Sequence, residues 1–289
     1  MNWLHTIRWK NLIIIWISIL VVIIPYFNLI YSGLLLGEFL RWGLICTSIA
    51  AIGNITNNWM DVKQDKENKK KNIFITPGQK GTALILITLF LTIATAAILF
   101  SFNGVFFLKL SIAALILLLL YNYVLKKIAL VGNLIISLLT ALIFFGIDAI
   151  VSNRIVYFEI GIENKQIEML ALFAFLTTFI REILKDAEDR KGDHFAGFNT
   201  IAKFLKDKWI AVLIVVINLL GCAGIYVLME WRQANYMNAF ILYSVWSLVV
   251  SIGASVFMMI PHPSKYVRAT RIVKAGMLGC LAIYLILSF

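Results

Sequence analysis

Asn54-Ile55-Thr56-Asn57-Asn58-Trp59-Met60-Asp61-Val62-Lys63-Gln64-Asp65 closes one long apolar run of this chain, and Arg181-Glu182-Ile183-Leu184-Lys185-Asp186-Ala187-Glu188-Asp189-Arg190-Lys191-Gly192-Asp193 closes another. Acid is scarce elsewhere: the chain has 15 Asp plus Glu in 289 residues. Carboxylates concentrated beside membrane-length apolar segments point to a metal and phosphate site at a membrane face.

Outward from these clusters the chain is apolar. Hydrophobic residues make up 61% and charged residues 14%, whereas a soluble domain is roughly one quarter charged. The composition is that of an all-α integral membrane protein. A membrane helix needs about 20 mostly apolar residues. Nine segments qualify: 11–32, 38–60, 82–101, 104–124, 128–151, 167–186, 207–230, 238–260 and 271–289. Spans and loops leave no room for a soluble unit, so 1–289 reads as a single transmembrane domain. No segment has the short apolar core and small-residue site of a cleavable signal peptide. Cys46, Cys222 and Cys280 fall inside apolar runs and read as buried packing residues. His5, His194 and His262 lack ligand spacing, which argues against a zinc site.

The net charge of +11 follows from topology. With the N-terminus cytoplasmic and each span crossing once, the inside loops hold Arg8 and Lys10, then Lys63 to Lys80, Lys126 and Lys127, Lys185 to Lys208, and Lys265 to Lys274. The outside loops hold little beyond Arg154, Lys165 and Arg232. That bias obeys the positive-inside rule and puts the C-terminus outside. Basic residues confined to short loops argue against nucleic acid as a partner; membrane lipid headgroups meet them instead. Four spans separate the two acidic clusters, and an even number of crossings returns the chain to the same face. Both clusters are therefore expected at the cytoplasmic surface, where they can share one site.

A helix turns about 100° per residue, so Asn54, Asn57, Asn58, Asp61 and Asp65 fall within roughly 100° of arc. Glu182, Asp186, Asp189 and Asp193 fall within roughly 60°, while Glu188 points away and Gly192 offers a bend. Like charges one turn apart destabilise a bare helix, so something cationic is called for. Carboxylate and amide oxygens are hard ligands suited to Mg²⁺, which takes one or two carboxylates and completes its shell with phosphate oxygens and water. Two facing stripes with Arg181, Lys185, Lys126 and Lys70 nearby would clamp a diphosphate through bridging Mg²⁺. The plainer explanation is solvated helix ends balanced by surface ion pairs, and the pairing of two stripes on one face weighs against it. A metal-ion or polyphosphate transporter is a remote alternative, because transporters bind near the bilayer midplane and these acids lie at one face.

The Asn57-Asn58-Trp59-Met60-Asp61-Val62-Lys63-Gln64-Asp65 stretch resembles the Asn-Asp-x-x-Asp-x-x-x-Asp motif of the UbiA superfamily of intramembrane prenyltransferases. Lys185 to Asp193 is similar to that family's second Asp-rich motif. Tyr121 to Lys127, Gly132-Asn133 and Gly197-Phe198-Asn199-Thr200-Ile201 extend the resemblance over most of the chain. Two departures stand out. Asn58 occupies a place where the family commonly has Asp, and the stretch Lys66 to Lys71 lacks a Pro often found there.

The resemblance implies nine transmembrane helices around a central cavity, with a polar cap on the cytoplasmic side of a prokaryotic inner membrane. It implies a Mg²⁺-dependent prenyltransferase moving a polyprenyl group from its diphosphate, such as geranylgeranyl diphosphate, to a lipophilic acceptor. The Mg²⁺ ligands would be Asn57, Asp61, Asp65, Asp186, Asp189 and Asp193, with Asp61, Asp65, Asp186 and Asp189 as the catalytic carboxylates. Substrate contacts would come from Asn54, Asn57, Asn58, Lys70, Tyr121, Lys126, Arg181, Lys185 and Asp193. Tyr121 would stabilise the allylic cation or orient the diphosphate, although an interfacial aromatic anchor fits its position equally. The wording from Arg181 to Asp193 is similar to members that prenylate geranylgeranylglycerol phosphate, and also to some that act on aromatic quinone precursors. A UbiA-type terpene cyclase, using the same metal site without an acceptor, is the alternative.

Overall fold

In lipid every backbone polar group must find its partner within its own segment, so the apolar runs wind into helices. A computed structural model describes residues 3–26, 34–101, 104–158, 165–231 and 237–288. Within them the long helices are α1 Trp9–Ile23, α2 Leu34–Met60, α3 Gln79–Leu99, α4 Gly104–Tyr123, α5 Val131–Phe158, α6 Lys165–Phe195, α7 Asp207–Trp231, α8 Met237–Met259 and α9 Lys265–Ser288. Short helices lie at Trp3–Thr6, Val62–Glu67 and Ile201–Phe204.

Among the described residues, seven helices are long and apolar enough to cross a membrane: α2 to α5 and α7 to α9. The protein is a multi-pass helical membrane protein. The two other expected spans fall short for different reasons. α1 has 15 residues, which at 1.5 Å each is about 22 Å, less than the roughly 30 Å hydrocarbon core. The remainder of the expected 11–32 segment, 27–32, lies outside the described residues. α6 has 31 residues, and its last turns carry the second acidic cluster.

Two expected loops are partly helix. α5 runs on to Phe158, through part of the expected 152–166 loop, and α6 runs on to Phe195, through half of the expected 187–206 loop. The extension of α6 is what carries the carboxylates out of the apolar layer on a rigid rod. α6 is also the hub. It packs against α5, α7, α8 and α9, and Phe173, Ile183 and Leu184 on it are fully buried. The outer helices instead expose Ile85, Leu99, Phe100, Leu220 and Ile286, the face that lipid tails would cover.

Small residues seat two indoles. Trp42 on α2 donates to Ile143 O at 2.9 Å and lies over Gly146 of α5; Trp246 on α8 donates to Gly276 O at 2.8 Å and lies over Gly279 of α9. A Cβ at either glycine would collide with the ring, so each allows a close helix crossing. Cys46 and Cys280 are buried and Cys222 half-buried, each as a free thiol.

Candidate functional site

α2 stops at Met60, yet the helical path does not. The Asp61 N–H bonds Asn57 O at 2.9 Å and the Asp65 N–H bonds Asp61 O at 2.8 Å, so the stripe continues into Val62–Glu67. That short helix lies against the end of α6. Gln64 Nε2 donates to Asp193 Oδ1 at 3.0 Å, and Lys70 pairs with Asp189. Asn68 uses both ends of its carboxamide on the α6 backbone, accepting from the Gly192 N–H at 2.9 Å and donating to Asp189 O at 3.3 Å. Gly192 sits within an unbroken helix, α6 continuing past it to Phe195. It allows contact instead, because a Cβ there would meet the Asn68 carboxamide and, at 2.9 Å, Gln64 O. The two acidic clusters therefore touch on one side of the bundle.

Each carboxylate is held by a donor. Asp61 accepts from Asn57 Nδ2 at 2.7 Å on one oxygen and pairs with Lys126 through the other. Asp65 accepts from Asn72 Nδ2 at 2.7 Å, and Asp186 from Asn133 Nδ2 at 3.0 Å. A pocket of about 50 Å³ is lined by Asn57, Asp61, Lys126, Asp186, Asp189 and Asp193. A wider cleft of about 310 Å³ beside it is lined by Asp61, Asp65, Lys70, Lys185 and Asp189. Lys126 is positioned by the turn after α4, which the Asn199 N–H ties to the segment after α6 by bonding Lys127 O at 2.9 Å. Lys126 lies 5.8 Å from the centre of the Phe198 ring.

Below these acidic pockets a cavity of about 220 Å³ opens into the bundle, enclosed by α1, α2, α4, α5, α6 and α9. Its walls are largely apolar, with Ile14, Cys46, Ala114, Leu118 and Ile143 among them. Asn57, Tyr121, Glu182 and Lys185 line both this cavity and the small acidic pocket, so the two adjoin there.

Residues 12–260 match the UbiA prenyltransferase family. The chain belongs to this family. It is 31% identical over 189 residues to the digeranylgeranylglyceryl phosphate synthase of Methanosphaera stadtmanae, an alignment covering 62% of each chain. The chain thus spans less than two thirds of that relative's length. Against the protein of the same name from Methanospirillum hungatei it is 29% identical over 269 residues, covering 90% of this chain and 89% of that one. Its fold resembles a solved structure from work on digeranylgeranylglyceryl phosphate synthase in membranes, with a TM-score of 0.67 at 20% identity, covering 99% and 97% of the two chains.

Not every residue expected at the UbiA site reaches the acidic pockets. Asn54 lines the large cavity, but its amide is turned to Ile7 O at 3.0 Å. Asn58 borders the wider cleft while its amide donates to Thr6 O at 3.0 Å and Asn54 O at 2.9 Å. Both asparagines fasten the N-terminal turn to α2. This accounts for the departure from Asp at position 58, since a carboxylate has no proton to give either carbonyl. Arg181 lines only the large cavity and pairs with Glu182. Glu188 lines none of the three spaces.

The structure adds residues the sequence reading passed over. Gln64, Asn72 and Asn133 orient carboxylates, and Arg8 and Lys274 face the large cavity. Asn133 carried a signal in the Gly132-Asn133 pair; nothing marked Asn72 or Lys274.

Burial, then the charge of Asp189, push Asp193 up to about 6. Burial also raises Asp65, against the hydrogen bond from Asn72. Burial lowers Lys126, opposed by Asp61. Burial thus disfavours the charged form of Asp193 and Asp65, and a cation brought beside them would favour it. Among the described residues no three His, Cys, Asp or Glu side chains form a ready metal cage.

Proposed function

We propose that this chain is a Mg²⁺-dependent intramembrane prenyltransferase, moving a polyprenyl group from its diphosphate to a lipid acceptor and releasing diphosphate. The observation that carries this reading is the meeting of two acidic clusters directly above an apolar cavity. The names of the relatives support a geranylgeranyl diphosphate donor and a glycerophosphate-type acceptor. Residues that would hold the metal are Asn57, Asp61 and Asp65 on one side and Asp186, Asp189 and Asp193 on the other. When bound, Mg²⁺ neutralises the charge that grows on the leaving diphosphate.

The protein's own groups do the rest. Lys126 and Lys70, now paired with Asp61 and Asp189, exchange those carboxylates for diphosphate oxygens. The prenyl tail lies in the apolar cavity, which keeps water from the allylic cation. Tyr121, at the junction of pocket and cavity, presents its ring to that cation. The allylic C–O bond breaks toward the diphosphate, the acceptor hydroxyl oxygen bonds the same carbon, and its proton leaves with the diphosphate. The basic loops support a cytoplasmic position for this end, in a prokaryotic cell membrane.

The test is an incubation of purified protein with labelled geranylgeranyl diphosphate and a panel of acceptors, with EDTA or added Mg²⁺. The expected outcome is metal-dependent transfer to a lipid acceptor. A cyclic hydrocarbon formed without acceptor would instead make the chain a terpene cyclase.

A further inference from the structure

The large cavity has a polar patch that the chemistry above leaves unused. Arg8, Arg181, Lys185 and Lys274 all line it, and among the described residues Glu182 is the only carboxylate in the same lining. Glu182 is committed, paired with Arg181 and 3.9 Å from Lys185. Neither Arg8 nor Lys274 has an ion-pair partner among the described residues. Arg181 and Lys274 line neither acidic pocket, so they stand apart from the carboxylates that would hold the donor's diphosphate.

Arg8 is brought there by construction. It takes a left-handed backbone, φ 54°, at the start of α1. Asn54 and Asn58 hold the carbonyls of Ile7 and Thr6 just before it. A non-glycine residue adopts that conformation only at a cost. Four cations against one carboxylate beside an apolar cavity are costly to keep, and an anion from a ligand offsets that cost.

We propose that Arg8, Arg181 and Lys274 form a second anion subsite, which receives the phosphomonoester headgroup of the lipid acceptor. This rests on the prenyltransferase reading and adds which residues would select the acceptor's phosphate. A phosphomonoester brings close to two negative charges near neutral pH, matching the excess of cations; a carboxylate brings one, and a neutral lipid none. The cavity meets the acidic pocket at Asn57, Tyr121, Glu182 and Lys185. That junction lets an acceptor hydroxyl a few bonds from its phosphate approach the acidic pocket.

Lys274 is the diagnostic residue, because Arg181 also neutralises Glu182 and Arg8 also borders the acidic cleft. The experiment measures transfer from labelled geranylgeranyl diphosphate to geranylgeranylglyceryl phosphate, to its dephosphorylated analogue and to 4-hydroxybenzoate. The proteins are wild type, Lys274→Gln and Lys274→Arg, each checked for an unchanged thermal midpoint. Wild type should favour the phosphorylated acceptor about ten- to hundredfold in kcat/KM, the range for a charged hydrogen bond. Lys274→Gln should raise the KM for that acceptor about tenfold, leave the donor KM within about twofold and narrow the preference; Lys274→Arg should restore it. A rise in donor KM with acceptor KM unchanged would move Lys274 to the diphosphate and overturn the subsite. So would an unaltered preference in the Gln variant, or better use of 4-hydroxybenzoate than of the phosphate ester. Wild-type protein that transfers to no acceptor overturns the prenyltransferase reading itself, whereas transfer indifferent to phosphate overturns the subsite alone.

Discussion

Gly192→Ala probes whether backbone contact sets the spacing of the two acidic clusters. The new Cβ would lie 2.9 Å from Gln64 O, where ordinary contact begins at 3.4 Å. The neighbouring backbones must part by about half an ångström, and overpacking of this kind costs about 1–3 kcal/mol. The Asn68 carboxamide would have to leave as well, giving up its bonds to the Gly192 N–H and Asp189 O, each worth about 1 kcal/mol. Alanine returns about 1 kcal/mol of helix propensity. The net loss is about 2–4 kcal/mol, local to this contact and small beside the packing of α6 in the bundle. Catalysis should suffer as well as stability, since misplacing reacting groups by about an ångström costs about a hundredfold in rate. The assay is prenyl transfer across a Mg²⁺ titration, alongside thermal unfolding. Turnover should fall about tenfold, as befits half an ångström, and half-saturating Mg²⁺ should rise, with a drop in midpoint. Wild-type turnover and an unmoved Mg²⁺ response in a folded Gly192→Ala protein would refute the reasoning.

Asp61→Ala or Asp186→Ala should each abolish transfer while the protein stays folded; near-normal activity in either would contradict a site shared between the clusters. Asn58→Asp should cost about 2–3 kcal/mol, because two carbonyls lose their donor and a charge faces them. It should also expose the N-terminal turn to protease, and an unchanged melting temperature and cleavage pattern would remove Asn58 from that role.

The α-helical membrane class was legible because a bilayer leaves so few alternatives for a long apolar run. The meeting of Asp61 with Asp186 and its neighbours was legible too, from an even number of crossings and two helical stripes. α6 shows where that reading ran out. Apolar length ends the span at 186 and the helical stripe reaches Asp193, whereas the helix itself continues to Phe195. Gly192 was read for flexibility, whereas its use depends on Gln64 and Asn68, more than a hundred residues away in sequence. Asn54 and Asn58 share the acidic stripe in projection, yet the N-terminal turn takes their amides first. A helical wheel orders the residues of one helix and is silent about which neighbour they meet.

The donors around the carboxylates follow a chemical logic that only the assembled site reveals. Asn57, Asn72, Asn133 and Gln64 each give an amide N–H to one of Asp61, Asp65, Asp186 and Asp193. An amide fixes a carboxylate's orientation and leaves its charge intact, whereas a lysine or arginine in the same place would cancel it. Full neutralisation of the five acids would leave little attraction for a divalent cation. With no donors at all, like charges one turn apart would splay the helix ends. Amides on four acids, with lysine among the described residues only on Asp61 and Asp189, keep the site both ordered and negative. Both lysines come from segments outside the two acidic helices, so either can transfer to a phosphate without moving a carboxylate.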